Sequence, residues 1–271
     1  MKNWIYLDKK GKDQYVQMLA NGAGAACTLL ETWRYEDSQD PLVIRGIMKH
    51  KIIKRCWQDN RQFRYMDSGY FGNRPSAANP NGWKYWHRIV PNNLQHGDII
   101  ARPADRWQRH GIKLRPRQNH GRNILIAAPD EKPCAFYGLT LDQWMRDTID
   151  TIKQHTDRPI VVRQRPASRV DRKTQRAEDW LADVHALVTF NSNAATEAIM
   201  AGVPVFVTAP CNASSPVSNT DLTKIDDPWF ADSDQIHQWA CHLAYGQFHT
   251  EELVNGTAAR ILDETEEILN A

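Results

Sequence analysis

Thr189-Phe-Asn-Ser-Asn-Ala-Ala-Thr-Glu-Ala-Ile-Met-Ala-Gly-Val-Pro-Val205 decides how this chain is read. The apolar run Ala186–Phe190 is a buried strand that ends at a small polar turn, and a helix over Asn193–Ala201 starts there. Gly202 ends that helix, and Pro204–Thr208 forms the next strand. A helix that starts at a strand's carboxyl end points its free N–H groups and its positive dipole end at whatever lies there, which suits an anion. Ser192 or Asn193 can cap the helix, and Thr196 and Glu197 fall in its first turn. The plainer reading is ordinary capping, with Glu197 favouring the dipole.

Working outward, the C-terminal half repeats this alternation. Strands are expected at Ile124–Ala127 and Pro159–Arg163, with helices over Thr140–His155 and Arg176–Ala182 between and after them. Helices over Ser233–Tyr245 and Thr250–Leu269 close the chain. Apolar, β-branched strands in successive strand–helix units imply a parallel, doubly wound sheet. The N-terminal half carries strands at Trp4–Leu7, Leu42–Ile47 and Phe63–Asp67, with helices over Asp13–Leu19 and Lys49–Gln58. From Ser68 to Arg122 glycine and proline break the pattern, so turns dominate. The expected fold is α/β, with an N-terminal domain over residues 1–122 and a C-terminal domain over 123–271. The last helices are candidates to pack back on the first domain.

The chain has 271 residues, 41% hydrophobic and 24% charged, which excludes wholesale disorder. With 34 basic and 32 acidic residues the net charge is +2, so a uniformly basic nucleic-acid coat is excluded. Five scattered cysteines without CxxC spacing suggest neither a zinc site nor a disulfide framework, and no metal ligand is singled out. There is no run of about 18 apolar residues, and the opening MKNWIYLDKKGK lacks a signal-peptide core. A cytoplasmic protein is expected.

The quoted segment resembles the donor-site motif of glycosyltransferases with the GT-B fold, in which two Rossmann-like domains face each other across a cleft. In that family the motif looks like a strand, a Ser/Asn turn, Thr-x-x-Glu-Ala or Thr-Glu-Ala, and then Gly-x-Pro-Val. The resemblance implies that Glu197 holds the ribose of a nucleotide sugar, while Ser192, Asn193 and Thr196 line the phosphates. Arg163 and Arg165 follow the strand Pro159–Val162, and the guanidinium fork suits a diphosphate. A solvated basic loop is their plainer reading. Ser214 and Ser215, in the polar loop after the next strand, are added as donor contacts. The Ser-Pro-x-Ser-x-Thr-Asp-Leu pattern of that loop is similar to phage-encoded glycosyltransferase-like proteins.

In the N-terminal half, Phe63-Arg-Tyr-Met-Asp-Ser-Gly-Tyr-Phe-Gly72 delivers Asp67 to a strand end. A carboxylate there can deprotonate an acceptor hydroxyl in an inverting transfer, or simply cap a turn. His87 is the second base candidate, although a lone histidine beside aromatics is more often structural. The Phe63–Gly72 string, with Lys84-Tyr-Trp-His-Arg-Ile-Val-Pro-Asn-Asn93, also looks like phage proteins linked to DNA-base modification. Between Ala101 and Arg122 stand Arg102, Arg106, Arg109, Lys113, Arg115, Arg117 and Arg122 against the single acid Asp105. With Tyr70, Trp86 and Trp107 they form a candidate surface for the phosphates and bases of DNA.

The reading is a hexosyltransferase that moves a sugar from a nucleoside-diphosphate donor, UDP-glucose first among candidates. The acceptor would be a hydroxymethylated pyrimidine in double-stranded DNA, in the cytoplasm of a phage-infected host. The base would have to be flipped out of the duplex. Two alternatives stand beside it, a transferase acting on capsular or surface polysaccharide and a non-catalytic nucleic-acid-binding module.

Overall fold

The structure, a computed structural model, describes residues 3–73, 85–163 and 177–270. Arg165, one of the expected diphosphate ligands, lies outside the described residues. The chain divides into two compact units, Met1–Leu94 with Ala244–Ala271, and Gln95–Leu243. The sequence places the division at Arg122 instead. Nothing in local composition marks Leu94, because the residues that follow it change their packing partners without changing character.

In the first unit, β1 (Ile5–Asp8) leads through a lysine-rich turn into α1 (Gln14–Gly22). The buried Asp8 carboxylate shapes that turn, accepting the N–H groups of Lys12 and Asp13 at 3.2 and 2.9 Å and the Gln17 amide at 2.6 Å. Then come β2 (Cys27–Leu29), β3 (Leu42–Arg45), α2 (His50–Gln58), β4 (Phe63–Ser68) and β5 (Trp86–Pro91). Within the turn-dominated stretch after Ser68 lies one strand, β5, that the sequence reading does not place. Its Ile89 and Val90 carry the strand signal, between residues that break the alternation.

The second unit holds α3 (Asp105–Gln108), β6 (Asn123–Ala127), α4 (Glu131–Phe136) and α5 (Leu141–His155). It continues with β7 (Ile160–Arg163), α6 (Ala177–Leu181), β8 (Val184–Thr189), α7 (Ala194–Met200), β9 (Val205–Val207) and α8 (Ser233–Tyr245). The chain then returns to the first unit as β10 (Gln247–His249), α9 (Thr250–Val254) and α10 (Thr257–Asn270). One closing helix was expected over Thr250–Leu269, and two are found. Gly256 breaks it at φ +83°, where any Cβ would stand 2.7 Å from the Gly22 carbonyl oxygen of α1. Only glycine takes that conformation in that space without strain.

The first unit's sheet runs β10-β5-β4-β3-β1-β2. Its β2, β1, β3 and β4 are parallel, β5 is antiparallel to β4, and β10 is antiparallel to β5. Tyr6, Val43, Met66, Ile89 and Phe248 on one face pack against Val16 and Leu19 of α1, Leu253 of α9, and Ile261 and Leu262 of α10. Arg64 is buried in this layer, donating from Nε to Glu266 at 2.7 Å and from Nη2 to Asp263 at 2.6 Å, with its guanidinium 4.0 Å from the Trp4 ring centre.

The second unit's sheet runs β7-β6-β8-β9, all parallel. Ile124, Ile126, Ala186, Val188 and Phe206 pack with Trp144 and Ile152 of α5 and with Phe190. None of the five cysteines is in a disulfide, and among the described residues no His/Cys/Asp/Glu group of three or more could hold a metal ion. No described helix is long and apolar enough to cross a membrane.

Candidate active site

In the parallel sheet, register puts Ala127, Arg163, Thr189 and Val207 in one row at the carboxyl end of their strands. Ligands of such sheets bind outside that end. Arg163 is half-buried there, its guanidinium 4.4 Å from the Trp180 ring centre. The turn after β8 enters α7 with Asn193 at the N-cap position, but its side chain makes no cap bond. Ser192 does that work, its Oγ accepting the Ala194 N–H at 3.2 Å. Ser192, Asn193 and Glu197 are half-buried and stand at this edge.

Two of the expected phosphate contacts differ. Thr196 and Ser214 are fully buried, with their hydroxyl oxygens 3.4 Å apart. They hold α7 to the loop after β9 and offer no free surface to a ligand, while Ser215 is half-buried in the same loop. The Gly-x-Pro part of the motif has its own structural cause. Gly202 closes α7 at φ +85°, and a Cβ there would stand 2.0 Å from the Pro116 carbonyl oxygen. The backbone of Arg115 and Gln118 straps this end of α7 by bonds to Met200 and Gly202.

That strap places the basic stretch. It lies at the end of α7 away from the Ser192 turn, and Arg122 bonds Asp183 at 2.9 Å beside the start of β8. Lys113, Arg115 and Arg117 are exposed at that far edge, and Arg109 is exposed after α3. Arg106 and Trp107 are buried, and Trp107 at 5% exposure can neither stack on nor wedge between bases. Arg102 is half-buried. Tyr70, in the first unit, is also buried, facing the Arg88 guanidinium at 5.4 Å while its N–H bonds Gln247 at 2.7 Å. Trp86 is half-buried, its backbone bracketed by the Asn73 amide. Of the expected aromatic and basic residues, Arg109, Lys113, Arg115 and Arg117 stay exposed in the second unit, where Arg102 is half-buried, and Trp86 is half-buried in the first unit.

In the first unit, Asp67 stands opposite Arg88 in the β4–β5 ladder, and Ser68 opposite His87. Directly paired residues share a face and neighbours along a strand alternate, so Asp67 and His87 face opposite sides of the sheet. His87, 2% exposed, lies under α1 with its ring 4.0 Å from that of Tyr15. Asp67 keeps 37% of its side chain exposed. Its Oδ2 accepts the Tyr65 hydroxyl at 2.7 Å and lies 3.6 Å from Arg88 Nη2, and its Oδ1 accepts the Ser68 N–H at 2.7 Å. Burial favours the neutral acid, but Arg88, the Tyr65 hydroxyl and the Ser68 amide outweigh it and hold the carboxyl below the usual carboxylate range. Tyr65 and Arg88 were not singled out from sequence. A strand signal at Ile89-Val90 with the register it implies is the only trace that could have found Arg88.

No protein-family model matches this chain, and no curated protein matches it in sequence. Solved structures do match. The chain is similar to Thermosulfurimonas dismutans KpsC, beta Kdo 2,7 transferase, with a TM-score of 0.52 at 13% identity over 94% of this chain and 99% of that one. A Thermosulfurimonas dismutans KpsC described as a beta Kdo 2,4 transferase matches with a TM-score of 0.47 at 11% identity, over 88% of this chain and 90% of that one. Identity this low speaks to the fold. The chain is a mixed α/β protein with two sheets and the fold of a glycosyltransferase of known structure, and the likeness carries nothing for modification of phage DNA.

Proposed function

We propose that this protein is a glycosyltransferase that moves a sugar from a nucleotide-sugar donor to a hydroxyl of a carbohydrate acceptor. The observation that supports it most is the fold likeness to a Kdo transferase over nearly the full length of both chains. The reading gives the second unit the donor. Glu197 takes the ribose, Ser192 and Asn193 lie at the phosphates, and Arg163 faces the charge that grows on the departing phosphate as the anomeric bond breaks. In the first unit, Asp67 is the carboxylate proposed to take the proton of an acceptor hydroxyl. A carboxylate ionised at neutral pH and partly open to solvent meets that need, although its depressed pKa makes it a modest base. Single displacement of this kind inverts the anomeric centre.

Hydroxymethylated DNA is the second reading, favoured by the exposed Arg109, Lys113, Arg115 and Arg117. The buried Tyr70, Arg106 and Trp107 weaken it. The test incubates the protein with UDP-glucose or nucleotide-activated Kdo and with either a Kdo-bearing oligosaccharide or hydroxymethylated duplex. Products are read by mass spectrometry and the anomeric configuration by NMR. Transfer to the oligosaccharide is expected. Transfer only to duplex would move the conclusion to DNA, and a retained configuration would remove the single-displacement mechanism. Glu197→Ala should weaken binding of the active donor's nucleotide by about 1.5–3 kcal/mol, the range for charge-assisted hydrogen bonds.

A further inference from the structure

We infer that Gln95 is a positioning residue for nucleotide binding in the second unit. The inference rests on the donor reading above and concerns a residue that touches neither nucleotide nor sugar. Gln95 is 4% exposed, and both ends of its amide are used. Nε2 donates to the Asn191 carbonyl oxygen at 2.9 Å, in the turn that enters α7. Oε1 accepts the Ala213 N–H at 2.9 Å, in the loop after β9. Its own carbonyl oxygen takes the Cys211 thiol at 3.2 Å.

These two segments leave neighbouring strands at the edge where Ser192, Asn193, Glu197 and Ser215 stand. The loop after β9 is further held by the Trp239 indole, which donates to the Ala213 carbonyl at 2.7 Å. One buried amide thus bridges the two sides of the proposed pocket, beside the Ala209 N–H bond to the Phe190 carbonyl and the Thr196–Ser214 contact. It must be a donor on one side and an acceptor on the other, a demand met by a primary amide and by few other side chains. Buried as it is, neither bond can be replaced by water without moving the loops.

Removing the amide should let the Asn191 turn drift and weaken nucleotide binding without unfolding the unit. The probes are UDP, UDP-glucose and CMP, titrated calorimetrically into the full chain. For whichever binds the wild type, Gln95→Met, which loses both side-chain hydrogen bonds, should raise Kd by about 10-fold or more. Gln95→Glu adds a readout that general loosening would not produce. Its ionised carboxylate can still accept from Ala213 but repels the Asn191 carbonyl, whereas the protonated acid donates an O–H to it. Burial raises the pKa of such a carboxyl. The Kd ratio of Gln95→Glu to wild type should therefore fall towards one between pH 8 and about pH 5.5. Should Gln95→Met fail to fold, the pH dependence of Gln95→Glu alone decides. Unchanged affinity in Gln95→Met, or a Gln95→Glu ratio flat with pH, overturns the positioning role while leaving the donor reading intact. A wild type that binds none of the three probes overturns the donor reading and this inference with it.

Discussion

The two sheets gather their chemistry in different ways. In the parallel sheet of the second unit every strand ends at the same edge, so Arg163, the Ser192 turn and the loop after β9 meet there by topology alone. In the first unit the antiparallel β5 brings Arg88 back beside Asp67 and turns His87 to the other face. A parallel sheet thus makes a site that linear motifs describe. A mixed sheet makes one that depends on register, in which a shift of one residue exchanges the faces of every side chain. The second lesson is electrostatic: the first unit buries an ion pair between strand and helix, whereas the second buries a neutral histidine.

The largest effect is expected at that ion pair. Arg64→Met leaves the nearly buried Glu266 without its cation, and loss of one partner of such a pair costs about 3–5 kcal/mol. Urea unfolding of the first unit should show it, and Arg64→Met combined with Glu266→Met should recover much of the loss. A double variant no more stable than the single one would mean that the loss comes from the packing of Arg64 on Trp4 and not from an unpaired Glu266.

His242 tests the other side of the contrast. Burial and then the nearby Arg102 pull its pKa down to about 4, and its Nδ1 accepts the Ile100 N–H at 3.3 Å beside the ring of His96. Because the folded value lies below the unfolded one of 6.5, the unfolded state takes up the proton first. Stability is then complete above about pH 6.5 and falls as pH drops towards 4, by up to about 3 kcal/mol. His242→Asn keeps an acceptor near Ile100 and removes the titration. Its unfolding free energy should vary less with pH over that window, and an identical slope would assign the acid sensitivity to other groups.

Asp67→Asn separates the faces of the mixed sheet. Turnover should fall about 10²-fold or more, near 2.7 kcal/mol, with nucleotide affinity unchanged. His87→Gln, altering the opposite face, should lower stability and leave the pH–rate profile in place. Since the Asp67 pKa is depressed, the stability from its pairing is present above the unfolded value of about 3.9 and lost below it. No acid limb from Asp67 should therefore appear between about pH 5 and 8. A His87 variant that abolishes turnover at full stability would break the assignment by faces.

The same contrast explains what the sequence showed. Strands β6 and β8 and helix α5 were legible within two residues, because unbroken apolar runs and a 3.6-residue period survive in a doubly covered parallel sheet. Strands β2 and β10 were not, being three residues each and completed only by their neighbours. The motif residues Ser192, Asn193 and Glu197 were readable because they are local to one turn. Gln95 was invisible, since its partners lie 96 and 118 positions away. Trp107 was misread as a surface aromatic because a tryptophan in a loop of arginines carries no sign of the packing that buries it.

The smallest expected effect concerns the far edge of the parallel sheet. Lys113 and Arg117 are exposed there, at the end of α7 that the Arg115–Gln118 strap closes, and the Ser192 turn lies at its other end. Any polyanion they attract binds through charge, so duplex affinity should fall with salt by about 0.9 log unit per log unit for each phosphate neutralised. Charge reversal in Lys113→Glu with Arg117→Glu should lower that slope by about 1–2 and act alike on all sequences, since phosphate contacts read no bases. Nucleotide affinity should not change, because the two edges of the unit are separated by the length of the helix. Fluorescence anisotropy of a labelled duplex over a salt series, with nucleotide titration alongside, measures both. A double variant that also loses nucleotide binding would show the two edges coupled, and one that loses discrimination between modified and plain duplex would bring the DNA acceptor back to the front.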